Sequence, residues 1–255
     1  MKKALLLILT LFFIISCTGT KQYPIHEKPF YGLKGNVKSN KVIRYKGEEK
    51  FGEAILGNII SMSIVEFNND GKAIKQTSYD EDGKLVYEIV TEYKGKQKTK
   101  ITSQFNDSDV PSIDLVEVGD GYIKQTNSKD ENDYFLIVED EVDKYHLIVK
   151  NQDNQVFLEE YYNTNCDIVK QISYSGMDSG KVNSNTIYEY DDNGVCVSMT
   201  KTDYFLKEEG EAEKESYKYL ETDKHGNWTK RLINIQDGYR YISKTEIEVR
   251  EISYR

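Results

Sequence analysis

Beyond residue 30, apolar and polar positions alternate in short runs cut by Asp, Asn and Gly. Lys84-Leu85-Val86-Tyr87-Glu88-Ile89-Val90-Thr91-Glu92-Tyr93 is the cleanest run. A period of two puts one side-chain set on each face of a strand, so this run predicts a half-buried strand with one wetter face. Similar strands are predicted over 113–118, 122–126, 134–139, 145–150, 155–162, 230–236 and 239–254. Asp70-Gly71, Asp82-Gly83 and Asn193-Gly194 are short-range hairpin signals. The Asx side chain bonds back to its own backbone, and Gly or Asn supplies positive φ. Gly119-Asp120-Gly121 and Asp237-Gly238 mark two more turns. The least regular stretches are 46–58, 105–111 and 207–214; the first, with Gly47, Gly52 and Gly57, reads as a loop over one sheet face. No stretch carries the period of a long amphipathic helix.

The runs also repeat. Phe67-Asn68-Asn69-Asp70-Gly71-Lys72-Ala73-Ile74-Lys75-Gln76-Thr77-Ser78-Tyr79 aligns with Tyr162-Asn163-Thr164-Asn165-Cys166-Asp167-Ile168-Val169-Lys170-Gln171-Ile172-Ser173-Tyr174. The Asn, Lys-Gln and Ser-Tyr positions coincide. Further copies start at Tyr79-Asp80 and Tyr190-Asp191, and a last one runs from Tyr219 through Asp223 to His225-Gly226-Asn227-Trp228. Cys166 stands where the other turns have glycine, which predicts a different turn or modest strain there. The expected fold is all-β, with tandem antiparallel hairpins in one elongated or curved sheet or a partly wrapped shell.

The spaced Tyr-Asp-x-x-Gly pattern, closing on Gly226-Asn227-Trp228-Thr229-Lys230-Arg231, resembles the YD-repeat (rearrangement-hotspot-like) family. More closely it resembles uncharacterised hairpin-repeat lipoproteins of Bacteroidetes-type bacteria. Those open with a segment like Gly32-Leu33-Lys34-Gly35-Asn36-Val37-Lys38-Ser39 and end on a Gly-Asn-Trp repeat. The chain departs from the pattern at Cys166 and from about residue 105 to 155. The resemblance implies successive antiparallel hairpins, no enzymatic activity and no catalytic residue.

The N-terminus carries an address. Met1-Lys2-Lys3 precedes an apolar run from Ala4 to Ile15 broken only by Thr10, as in a secretory signal. The run is too short for the ~20 residues that span a bilayer. Its end, Ile14-Ile15-Ser16-Cys17, resembles a lipobox, in which the cysteine thiol is acylated and becomes the new N-terminus. The expected organisation is therefore a signal over 1–16, lipidated Cys17 and a flexible tether over 17–30, and a hairpin-repeat β domain over 31–255. One acyl chain holds only marginally and two or more hold stably, so attachment asks nothing of the folded part. Thr18 follows the anchor with no acidic run. By resemblance to lipoprotein sorting rules, this points to the outer membrane, facing the periplasm.

Composition excludes more than it assigns. The chain has 34 basic and 43 acidic residues, and losing Lys2 and Lys3 with the signal takes the net charge from −9 to −11. With no basic stripe, such a chain repels phosphate backbones, and anionic lipid surfaces likewise. The three histidines, His26, His146 and His225, share no metal spacing, and no Cys-x-x-Cys occurs. No nucleophile elbow, phosphate loop or dinucleotide fingerprint is present. Asp80-Glu81-Asp82 and Asp191-Asp192-Asn193 carry calcium-type oxygens but not the 12-residue calcium loop, and they read as turns. No cofactor and no turnover are expected. Cys166 and Cys196 remain besides Cys17, and an oxidising compartment permits a bridge between them without requiring one.

Tyrosine is abundant, at 20 residues against one Trp and nine Phe. Tyr188, Tyr190, Tyr217 and Tyr219 alternate with polar residues, so each pair shares a face. With Trp228 they form either a binding platform or the lining of a core. The leading reading is a non-enzymatic envelope lipoprotein presenting an extended β surface to another macromolecule. Protein contact would come by strand addition at an edge or by aromatic anchoring. The alternative is glycan binding on the Tyr/Trp platform. An envelope hydrolase comes third, and it would need two close carboxylates or a buried His pair.

Overall fold

The computed structural model describes residues 33–255 except 96, 109–110, 119–121, 128–132, 142–143, 152, 164–166, 176–179, 205–210 and 239–241. Cys17, the tether, Cys166 and the turn at Gly119-Asp120-Gly121 therefore lie outside the described residues.

The strands in chain order are β1 (Val37–Lys50), β2 (Glu53–Phe67), β3 (Ala73–Tyr79), β4 (Leu85–Lys94), β5 (Gln97–Phe105), β6 (Ser112–Val118), β7 (Tyr122–Asn127) and β8 (Asp133–Glu141). They continue with β9 (Lys144–Asn151), β10 (Val156–Tyr162), β11 (Ile168–Tyr174), β12 (Val182–Tyr190), β13 (Cys196–Asp203), β14 (Glu211–Thr222), β15 (Trp228–Asp237) and β16 (Ile242–Tyr254). Each pairs antiparallel with the next, as the hairpin signals predict. The sheet also wraps fully. β1 pairs with β16 from Val37↔Tyr254 to Gly47↔Thr245, so the ring of strands closes into a barrel.

Register shows which face is enclosed. One row runs Asn40↔Val65↔Gln76↔Ile89↔Ser103↔Ser112 across β1 to β6. Every member is buried, four of the six polar. The inner face thus mixes aliphatic and small polar side chains, and Val65, Phe67, Ile89, Ile101, Val149 and Leu158 belong to one apolar cluster. The outer face carries charge instead: Lys41–Glu251, Lys75–Glu88 and Lys100–Glu92 pair across neighbouring strands.

The repeated turns share one geometry. The Oδ1 atoms of Asn68, Asp80, Asp191 and Asp223 each accept the amides two and four residues on. In each, the glycine at the fourth position takes φ of 75–77°. Tyrosines near the ends of β4, β12 and β14 point inward and tie each strand back to the one before it. Tyr93, Tyr190 and Tyr219 donate to the carbonyls of Ala73, Ile168 and Cys196, the first residues of β3, β11 and β13. At Tyr190-Asp191 the two roles stand side by side: the hydroxyl satisfies a strand-start carbonyl while the Asx satisfies the turn amides.

The stretch 46–58 corrects the sequence reading. It is no irregular loop; it is the far half of a β1–β2 finger that turns at Phe51-Gly52. The glycines there suggested a loop, but they sit inside a paired ladder, Gly47 opposite Leu56. The finger also bends over the outer face. Gly47 lies against Ile247, where an added Cβ would come within 2.6 Å of it. Glu49 accepts from Lys218 of β14 at 2.6 Å, beyond both β16 and β15. Ile43, Leu232 and Ile247, all on the outer face, are buried here. β15 and β16 therefore bury both faces, with Ile233 and Glu248 inside.

Candidate functional site

The inner wall between β12 and β1 gathers the aromatic set that the alternation predicts. Tyr188 pairs with Met199, which pairs with Glu215, while Tyr217 and Tyr219 oppose Ile233 and Arg231. All lie on the enclosed side. Strict alternation from Leu232 would send Trp228 outward, but a register shift at Thr229 intervenes. Trp228 instead meets three inward residues: Arg250 lies 3.5 Å from its ring centroid, Arg231 4.5 Å, and the Tyr219 ring 6.2 Å.

Charge is matched within this wall. Arg231 donates to Glu248 through Nε at 2.7 Å and Nη2 at 2.6 Å, and its plane covers Tyr217 at 4.3 Å. Arg44 of β1 bonds Glu246 and reaches Glu215 of β14 at 3.1 Å. Tyr217 in turn donates to Glu215 at 2.8 Å. Burial and the nearby Glu160 push Tyr188 up to about 12, and burial likewise raises Tyr190 and Tyr217. Cys196 keeps a free thiol, raised by burial, beside this set. The charged members were missed from sequence. The signal was the run Glu246-Ile247-Glu248-Val249-Arg250, where charge holds the period that faces inward.

A second constellation closes the chain ends. Asn227, 4% exposed, accepts from the Lys34 amide at 2.6 Å and donates back to the Lys34 carbonyl at 2.8 Å. It also donates to the Tyr254 hydroxyl at 2.8 Å, and Tyr254 bonds Asp223. His225 packs on the Tyr254 ring at 4.3 Å, and Arg255 donates to the carbonyls of Val37 and Phe67. Leu33, 1% exposed, is thereby seated in the core. Leu33-Lys34-Gly35, near the start of the domain, and the closing Gly-Asn-Trp repeat are thus two halves of one clasp.

Desolvation pulls the Asp223 carboxyl upward, but bonds from Tyr254 and from the Asn227 and His225 amides outweigh it and hold it down at about 2. An unfolded aspartate titrates near 3.9, so between these values the unfolded chain binds more protons and stability rises with pH. The clasp contribution is therefore present above about pH 4 and lost as pH falls towards 2. Hydrogen exchange at residues 33–36 should accelerate across that window, and Asp223→Asn should remove the pH step.

On the outer face, Glu159 accepts from His146, Tyr161 and Tyr174 at 2.6–2.8 Å. Desolvation raises this carboxyl, but the three donors outweigh it and lower it overall, while burial and Glu159 push Tyr174 up to about 12. The His146 ring stacks on Tyr161 at 4.2 Å. Among the described residues no group of three or more His, Cys, Asp or Glu is placed to hold a metal ion.

Fold and surface define a class: an all-β barrel of tandem antiparallel hairpins with cross-strand ion pairs on its exterior. Residues 58–104, which hold the Asn68 and Asp80 turns, match the family described as a protein of unknown function, DUF2963. The YD-repeat likeness finds no counterpart in that match. No curated protein matches the chain. Among solved structures it is similar to a porin-like protein from Bacteroides vulgatus ATCC 8482, at 14% identity over 87% of this chain and 99% of that one, with a TM-score of 0.42. A porin-like protein from Bacteroides uniformis ATCC 8492 follows at 9% identity, 85% and 96% coverage and TM-score 0.33. The LolA superfamily protein NE2245 from Nitrosomonas europaea stands at 11%, 93% and 94%, and 0.21. At these values the neighbours lend this chain no residue and no activity.

Proposed function

We propose that the chain is a non-enzymatic envelope lipoprotein, held by acylated Cys17 at the outer membrane on its periplasmic side. The outside of its barrel meets another macromolecule. The observation that carries this reading is the division of labour between the faces. Inside, Arg44, Arg231, Trp228 and the tyrosines are engaged with one another. Outside, cross-strand ion pairs alternate with exposed Val86, Leu115 and Ile187. A lipid-facing barrel would carry an apolar band where these charges stand. Around the ring strand addition has no edge to use, because each strand is paired on both sides; open edges remain along the β1–β2 finger, beyond Gly47 and before Met62. Contact falls instead to outward side chains. A photo-crosslinking side chain at Leu115 or Ile187 in intact envelopes should give a discrete adduct with one macromolecule. No adduct at either position, with the domain folded, overturns this reading.

Glycan binding is the second reading, supported by the shared face of Tyr188, Tyr190, Tyr217, Tyr219 and Trp228. A sugar at 100 times its dissociation constant adds about 2.7 kcal/mol, a shift of about 5–10 °C for a domain this size. A saturable shift with a defined oligosaccharide establishes it, and none across a broad panel removes it.

A further inference from the structure

We propose that the β1–β2 finger is a membrane wedge, entering the headgroup region of a zwitterionic bilayer and fixing how the tethered barrel sits on it. The proposal rests on the reading of Cys17 as acylated, and it concerns orientation rather than attachment.

Phe51 is the apex. It is fully exposed, at 104%, with φ of 53° and Gly52 behind it at 83°, the two left-handed positions of a type I′ turn. A bulky aromatic is disfavoured at positive φ, and here it gains no packing inside the fold to offset that. Behind it, Ile55 pairs with Glu48 and Leu56 with Gly47. Adjacent strand residues face opposite ways, yet both are exposed at 45% and 44%, and Ile59 at 41%. Apolar side chains thus project from both sides of the ribbon behind Phe51, even though one side lies against the barrel wall at Ile247 and Lys218. A rigid groove fits one side of a ribbon, whereas a fluid apolar phase takes up whatever stays exposed on either. The described turn at Asp80–Lys84, at the same end of the barrel, is polar.

Electrostatics adds no pull. Lys50 pairs with Glu48 and Glu49 with Lys218, leaving Glu53 beside the turn. The contact is therefore hydrophobic and shallow, and independent of anionic lipid. The tether fits this placement. β1 has 14 residues, so Phe51 lies at most about 46 Å from the clasp end. Residues 18–32 reach at most about 50 Å when extended. A chain leaving its lipid can thus run the height of β1 to Leu33 while the fingertip rests in the same leaflet.

The test uses the acylated full-length chain with Phe51→Trp in phosphatidylcholine vesicles carrying brominated acyl chains. The wild type, whose single tryptophan is Trp228, supplies the background. Flotation reports the anchor separately. The variant should float, and the emission of the added indole should fall at least twofold with bromolipid, while Trp228 emission stays level. Ile55→Ser with Leu56→Ser should weaken that quenching. A variant that floats with its added indole unquenched overturns the wedge. Shielding by an envelope protein with no bromolipid effect overturns it in favour of a protein partner. A chain that does not float yet is quenched overturns the anchor alone and upholds the wedge. One that neither floats nor is quenched overturns both.

Discussion

Asn227→Ala is expected to lower the melting temperature by about 4–24 °C and to release the first residues of the domain. Asn227 satisfies both backbone groups of Lys34 and bonds Tyr254 as well. Alanine leaves the Lys34 amide and carbonyl without these partners in a part-buried site. Each such group costs about 1–3 kcal/mol, and a domain this size loses about 2–4 °C per kcal/mol. Leu33 is then no longer held in the core, so exchange and proteolysis should rise first at residues 33–36. A variant that melts like wild type with those amides still protected would show that Leu33 burial alone seats the segment.

Glu248→Ala should cost about 3–5 kcal/mol, because it strands the Arg231 guanidinium inside the wall. Arg231 sets Nε and Nη2 on one oxygen of Glu248, and both side chains are mostly buried. The informative comparison is the pair Arg231→Met with Glu248→Leu. Removing both charges together leaves no stranded ion, so most of the loss should be regained in denaturant unfolding. What is not regained measures the cover that Arg231 gives Tyr217 and Trp228. If single and double variants lose the same, the ion pair is not what holds this wall.

Much of the architecture was legible because it is local. Asp70-Gly71, Asp82-Gly83 and Asn193-Gly194 each mark a turn, since the Asx oxygen and the positive-φ glycine act within five residues. The shared face of Tyr188 and Tyr190, and of Tyr217 and Tyr219, followed from a period of two. What the sequence left open was non-local or depended on one irregularity. Ring closure joins residues more than 200 positions apart, and nothing in the pattern of Val37–Lys50 names β16 as its partner. The side to which Trp228 points is decided by the slip at Thr229. Glycines at 47, 52 and 57 looked like loop punctuation, although packing over Ile247 and a tight turn use them within a ladder. The clasp was split between two motifs whose meeting only the fold reveals.

The seam between β1 and β16 sets a timetable for biogenesis. Of the sixteen described strands the ribosome makes β1 first and β16 last, and their side chains meet across 214 positions, as at Ser39 and Ser253. At 5–20 residues per second the wait between them lasts on the order of ten to forty seconds. Throughout it, one side of β1 presents a row of unpaired amides and carbonyls, the kind of edge that recruits other strands. Any chain cut short before β16 keeps that edge for good. A prematurely terminated copy would therefore be more than inactive: it would be adhesive, and quality control in the compartment where it folds must clear it.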